Sequence, residues 1–363
     1  MRVEPLHFSR RRMLRCAAAG ISALALPDIA CAQSAPKTLV TTPARPVVPD
    51  EHFVDAPVAI EVKARPIPSF DPRDRSHVRF DSLEYRSGLV LTSPFPGFGG
   101  LSAIRLDAKG ERFISLSDQG SWFTGRIVYS GREMVGLDDV EAAPMLAEDG
   151  RPITARGWFD SESLALDGSL ADVGLERVNQ VLRFDFAKGF TRARGEVVPL
   201  PPAAKKLPFN KGLEALVWVP KGLPLAGSLI AISERGLDPK GNLIAFLIGG
   251  PAPGQFSVRR TENFDVSDAV LLPSGDLLVL ERKFSLFAGL GIRIRRIALK
   301  SIAPGALVDG PSIFNADLGQ EIDNMEGIDA HVTEAGDTVL TMVSDDNFSL
   351  IQRTLLLQFT LVE

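Results

Sequence analysis

Nine carboxylates, Asp118, Glu162, Glu176, Glu214, Glu234, Asp268, Glu281, Glu326 and Asp345, stand where an apolar run begins or ends. Carboxylates gathered in one place raise one another's pKa unless a cation neutralises them. Such a group suits two tasks: holding a hard cation of the calcium or magnesium type through oxygen atoms alone, and moving a proton to or from water. Arg177, Arg235 and Arg282 each follow one of these acids directly and offer a built-in neutralisation instead.

The positions of the acids come from a recurring unit. An acid or Ser opens an apolar strand, a Gly-containing turn follows, a second apolar strand closes on another acid, and a third strand completes the unit. It reads Gly100-Leu101-Ser102-Ala103-Ile104 to Ser117-Asp118, Ser161-Glu162-Ser163-Leu164 to Leu175-Glu176-Arg177, and Gly212-Leu213-Glu214-Ala215-Leu216 to Ser233-Glu234-Arg235. It continues as Ser267-Asp268-Ala269-Val270 to Leu280-Glu281-Arg282 and Met325-Glu326-Gly327-Ile328 to Ser344-Asp345-Asp346. Opening positions 102, 162, 214, 268 and 326 are 60, 52, 54 and 58 residues apart. Strand-only repeats of that period predict propeller blades, so the fold class is an all-β β-propeller. Antiparallel hairpins bring the opening and closing residues together at the end away from the turn, and stacking the blades gathers those ends on one face of the ring.

Turns at Asp107-Ala108-Lys109-Gly110, Asp167-Gly168-Ser169, Pro273-Ser274-Gly275-Asp276 and Glu334-Ala335-Gly336-Asp337 separate the strands. Third strands are predicted at 125–129, 180–186, 242–248, 292–299 and 354–361. A further hairpin at 78–83 and 88–91 reads as a partial sixth unit, which favours six blades over five or seven. A strand at 58–63 or 78–83 is suited to closing the ring beside the C-terminal strand. Gly289-Leu290-Gly291 lacks the third Gly and the strand-to-helix context of a dinucleotide site, so it reads as a flexible loop between Phe284 and the strand at Ile292, with Phe284, Phe287 and Leu290 either packed on the rim or forming one wall of a pocket.

The expected organisation is an export signal at 1–32, a Pro-rich arm at 33–77 and the propeller at 78–363. Ser9-Arg10-Arg11-Arg12-Met13-Leu14-Arg15 fits the twin-arginine export pattern, an apolar stretch from Cys16 to Leu26 follows, and Ala30-Cys31-Ala32 is a small-x-small cleavage site. The partner implied is the twin-arginine machinery, and the expected location is periplasmic or secreted. The apolar stretch is too short for a permanent membrane span. Lipidation at Cys31 is the lesser alternative, because Asp28 stands where an aliphatic residue is expected. Cleavage after Ala32 leaves 35 basic and 43 acidic residues, a net charge of −8, which does not attract nucleic acid. Both cysteines lie in the signal, so the processed chain has no disulfide, thiol nucleophile or thiolate metal site.

The candidate metal ligands are Asp118, Glu162, Glu214, Asp268, Glu326 and Asp345, helped by the amide oxygens of Asn210, Asn324 and Asn347. Glu214 and Glu326 are the candidate catalytic carboxylates. Lys211, Arg235 and Arg282 suit a phosphate or carboxylate of a substrate, and suit equally well pairing with Glu214, Glu234 and Glu281. The acids have a structural use too, accepting backbone N–H groups of the next blade. His52, His77 and His331 show no spacing to a Ser and an acid that suggests a catalytic triad, and His331 reads as a core or edge residue.

Asn210-Lys211-Gly212-Leu213-Glu214-Ala215-Leu216, Leu229-Ile230-Ala231-Ile232-Ser233-Glu234-Arg235, Leu278-Val279-Leu280-Glu281-Arg282, Asp323-Asn324-Met325-Glu326-Gly327-Ile328 and Ser344-Asp345-Asp346-Asn347-Phe348 resemble the motifs of the phytase-like family, also named for the esterase-like activity of phytase. The resemblance runs over roughly residues 78 to 363. It implies a β-propeller, an exported bacterial protein and hydrolysis of phosphate or other esters. Gly174-Leu175-Glu176-Arg177 departs from it by lacking the Ser that precedes the acid in Ser117-Asp118, Ser233-Glu234 and Ser344-Asp345. The leading expectation is a metal-dependent hydrolase of phosphate or small esters. A non-catalytic propeller that binds a ligand or protein, and a sugar-lactonase-like enzyme, are the alternatives.

Overall fold

A computed structural model describes residues 52–285 and 289–362. The export signal, the first part of the Pro-rich arm and Phe287 lie outside the described residues. Five sheets account for the strands, antiparallel throughout except for the outermost pairs Arg194–Val198 with Leu146–Ala147 and Gly254–Val258 with Leu307–Val308, which are parallel. The inner strand of each sheet is Leu101–Leu106, Ser161–Asp167, Leu213–Trp218, Asp265–Leu271 or Asn324–Val332, and these pack side by side in that cyclic order, the last against the first. They define blades I to V.

Tight turns that the sequence marks set the hairpins. In blade I the Gly110 N–H donates to Asp107 O at 2.9 Å, and Gly110 takes a φ of 72°, a conformation costly for any residue with a Cβ. The second strands are Arg112–Ser117, Leu170–Leu175, Ser228–Leu237, Asp276–Ser285 and Thr338–Asp345. The third are Ser121–Ser130, Gln180–Asp185, Leu243–Gly249, Gly289–Ala298 and Thr354–Leu361, close to their predicted places.

Blade count is the point of correction: the ring has five blades, not the six favoured by the sequence. The residues read as a partial sixth unit belong to blade V. Leu83–Thr92 pairs antiparallel with Thr354–Leu361, Leu89 opposite Leu356, and Arg79–Phe80 folds back onto the same strand. Lys63–Ile67 adds to its far side, while Val58–Ala59 extends blade I. No acid-opened inner strand exists in this segment, so it supplies outer strands and closes the ring between the two ends of the propeller.

Five apolar clusters fill the five junctions between neighbouring blades. The closing strand joins two of them, with Leu83 and Leu89 fully buried. Each buried Leu contributes roughly 1.5–3 kcal/mol from apolar surface removed from water.

The channel between the inner strands is plugged by a charge pair. Arg105 of blade I reaches across to Asp268 of blade IV, with Nη1 to Oδ2 at 2.8 Å and Nη2 to Oδ1 at 3.0 Å. Arg105 Nη1 also donates to the carbonyls of Ile104 and Ile328. Among the described residues no helix is long and apolar enough to cross a membrane.

Candidate functional site

Every inner strand carries a β-bulge near its start, between Leu101 and Ala103, Ser161 and Ser163, Leu213 and Ala215, Val266 and Asp268, and Met325 and Gly327. A bulge re-aims one side chain without ending the strand. The bulged residues are Ser102, Glu162, Glu214, Ser267 and Glu326. At or just past the open end of each hairpin, one residue beyond the pair that borders the bulge on the second strand's side, comes a second ring of positions, Asp118, Glu176, Glu234, Arg282 and Asp345. Its register is fixed by Asp118 N to Gly100 O (2.9 Å), Glu176 N to Asp160 O (2.9 Å), Glu234 N to Gly212 O (2.8 Å), and the pairs Asp265 with Arg282 and Asn324 with Asp345. Gly100, at φ 61°, leaves room for Asp118, whose Oδ1 a Cβ there would strike.

Two overlapping groups of carboxylates form on this face. Oxygens of Asp160, Glu162 and Glu176 lie within 4.8 Å of one another, and so do oxygens of Glu176, Glu214 and Glu234. All five side chains are buried. Glu176 also accepts the Gly212 N–H at 2.9 Å, which ties blade II to blade III. Glu214 Oε2 is buried and has no hydrogen-bond partner. Burial pushes the Glu214 carboxyl well above the usual range, and Glu176, Glu162 and Glu234 push it further. Burial acts the same way on Glu234, but Arg282 and Lys211 outweigh it and hold that carboxyl below its usual value.

Arg282 occupies a place where each of the other four blades has an acid. It pairs with Glu326 Oε1, reaches Glu234 Oε1 at 3.7 Å and donates to Asn324 Oδ1 at 3.2 Å. Asn324 in turn donates to Glu326 Oε1 at 2.8 Å, while Glu326 Oε2 is buried without a partner. Asp345 accepts the Asn347 N–H at 2.6 Å, and Asp118 accepts from Gln119 Nε2 at 3.0 Å. Lys211 pairs with Glu234 at 2.9 Å, and Arg235 pairs with Asp265 of the next blade.

The structure thus brings Glu162 and Glu214 into the carboxylate groups, together with Glu176 and Glu234, and sets Glu326 beside Arg282. Asp268 lies elsewhere: its oxygens accept from Arg105, from Ala269 N at 2.8 Å and from Ile328 N at 2.9 Å, in the channel plug. Glu281, expected with the other acids, is fully buried against Arg293 and Arg295 of the third strand, at 2.8 Å each. Both displacements have one cause. The repeat aligned Leu-Glu-Arg of blade IV with Ser-Glu-Arg of blade III, but the bulge falls on Ser267 and the pairing shifts by one residue.

Sequence reasoning missed Asp160 and the position of Arg282. Asp160 stands two residues before Glu162, at a φ of 68°. Its counterparts are Gly100, Gly212, Asp265 and Asn324, so comparing residues two before each bulge would have found it. Arg105 had no signal, because its partner is 163 residues away.

The family model described as "Phytase-like: Esterase-like activity of phytase" matches residues 96–348. No curated protein matches the chain. Among solved structures, the chain is similar to glutaminyl cyclase of Myxococcus xanthus, at 12% identity over 73% of this chain and 92% of that one, with a TM-score of 0.39. It is also similar to the WD40 domain of Neurospora crassa Pan2, at 13% identity over 87% and 98% of the two chains, with a TM-score of 0.37.

Proposed function

The chain belongs to the phytase-like family, and from that premise we propose that it is an exported, metal-dependent hydrolase of phosphate esters or other small esters. The observation that carries the reading is Glu214 Oε2: a buried carboxylate oxygen with no hydrogen-bond partner, in a side chain set against other carboxylates within 4.8 Å. A cation would complete that arrangement. The donors are all oxygen, which fits calcium or magnesium and not a soft metal. Glu162, Glu176 and Glu214, with Asp160 and Glu234, would hold it. When bound, such an ion supplies a polarised ester oxygen and a water of lowered pKa.

The chain's own side chains supply the rest. Arg282 presents its guanidinium beside the carboxylates, oriented by Glu326 and Asn324, and suits a negatively charged oxygen of the ester. Lys211 stands on the other side of Glu234. Glu326, whose Oε2 is buried without a hydrogen-bond partner beside Arg282, would accept the proton from attacking water. Water oxygen then bonds to the phosphorus or carbonyl carbon, the ester bond breaks, and the alcohol leaves with a proton. The twin-arginine pattern at Ser9 to Arg15 and the Ala30-Cys31-Ala32 site support export.

The test is hydrolysis of 4-nitrophenyl phosphate and 4-nitrophenyl acetate by chelator-treated protein, with and without added calcium or magnesium. Metal-restored turnover that Glu214→Gln abolishes supports the proposal. Metal binding with no turnover of either ester would favour the non-catalytic propeller.

A further inference from the structure

Beside the carboxylate groups the fold builds a second, oppositely charged feature. Glu176, Arg177 and Val178 form one 3-10 turn, ended by Asn179 in the left-handed conformation at φ 48°. The turn sends consecutive side chains in different directions: Glu176 is buried in the site, and Arg177 is exposed on its rim. Although Arg177 is next in the chain to a cluster of acids, it pairs with none of the described carboxylates. Its guanidinium carbon lies instead 4.2 Å from the centre of the Phe159 ring and 6.0 Å from that of Phe209.

Phe209 is the unusual partner, a large apolar side chain that is 66% exposed. Its loop is fixed on the site side, since Lys211 pairs with Glu234 and Gly212 N donates to Glu176. A guanidinium stacked on one aromatic face keeps its edge N–H groups free for an oxyanion, and its planar fork is already oriented. An exposed ring a few ångströms away offers a surface for a flat group attached to that oxyanion.

We propose that Arg177 and Phe209 form a recognition site for an aromatic group bearing one oxyanion, the part of the substrate that does not react. The inference rests on the hydrolase reading for the word substrate, but the binding site itself does not. It specifies a singly charged ligand, because the Arg177 guanidinium stands beside a group of buried carboxylates that would repel a polyphosphorylated molecule.

The experiment is isothermal titration of chelator-treated full-length processed protein with benzoate, phenyl phosphate and benzyl alcohol. Benzoate should bind with a Kd of about 1 mM. Arg177→Met, which keeps a long side chain on Phe159 but removes the charge, should weaken benzoate about tenfold and leave benzyl alcohol unchanged. Phe209→Ala should weaken both about threefold. Phenyl phosphate, close to a dianion near neutral pH, should bind more weakly than benzoate, and tighter binding would overturn the single-charge specification. Absence of benzoate and phenyl phosphate binding to the wild type, or equal affinities in Arg177→Met, overturns the proposal. Both side chains are exposed or on the rim, so circular dichroism of the variants should match the wild type. Because these titrations need neither metal nor turnover, their failure is distinct from failure of the hydrolase reading. If turnover is found, Arg177→Met should raise KM for 4-carboxyphenyl acetate about tenfold, leave it unchanged for phenyl acetate, and leave kcat alone for both.

Discussion

Replacing Glu214 by Gln should change stability in opposite directions with and without a divalent cation. Once ionised in chelator, Glu214 faces Glu176 and Glu234 oxygens within 4.8 Å. One such repulsion amounts to about 3 kcal/mol at an effective dielectric of about 20. Arg282 relieves part of it, so the net gain on neutralising Glu214 should be roughly 2 kcal/mol, or about 4 °C in Tm for a domain of this size. The amide also finds acceptors in the same carboxylates. With calcium at about a hundredfold excess over Kd, wild type gains about 2.7 kcal/mol from binding to the native state, and the variant should gain much less. The pH dependence has a definite sign. Because the Glu214 carboxyl lies above its unfolded value, the folded state holds the proton longer, so its favourable contribution is present at low pH and is lost as pH rises from about 4.5. Wild type in chelator should therefore lose stability between pH 5 and 8, and Glu214→Gln should lose less. Differential scanning calorimetry at both pH values, in chelator and in calcium, measures all of this. A variant several degrees less stable than wild type in chelator would refute the reasoning and make Glu214 a staple between blades.

Arg282→Met strips Glu326 of its buried partner and should cost about 3–5 kcal/mol in urea unfolding, recovered in part by calcium or by lower pH. Asp329, buried near Arg105, is pushed up to about 6 mainly by burial, so its contribution to stability declines as pH rises from about 4 to about 6. Asp329→Asn should flatten that part of the pH profile by roughly 3 kcal/mol, and an unchanged profile would exclude Asp329 as its source. Leu89→Ala, in the strand that closes the ring, should lower stability by about 2–5 kcal/mol, whereas a cost below 1 kcal/mol would argue against that closure. Lys at both Arg10 and Arg11 should leave precursor in the cytoplasm, and undiminished export by fractionation would count against the twin-arginine route.

What the sequence determined by itself was local. Strand, turn and second strand are neighbours in the chain, and hairpin pairing follows from the turn, so the all-β repeat and the acids ending the hairpins of blades I, II, III and V were legible. Family motifs lay in the same short stretches. Long-range pairing was not legible. Leu83–Thr92 joins Thr354–Leu361 across most of the chain, and that join makes five blades of what reads as nearly six. Nor could the sequence place the bulge in blade IV on Ser267. One residue of offset exchanges the faces of a strand, and it sent Asp268 to Arg105, Glu281 to Arg293 and Arg295, and Arg282 into the ring of acids. The grouping of Asp160, Glu162, Glu176, Glu214 and Glu234 depends on how three hairpin ends pack against one another, and only the tertiary structure decided it.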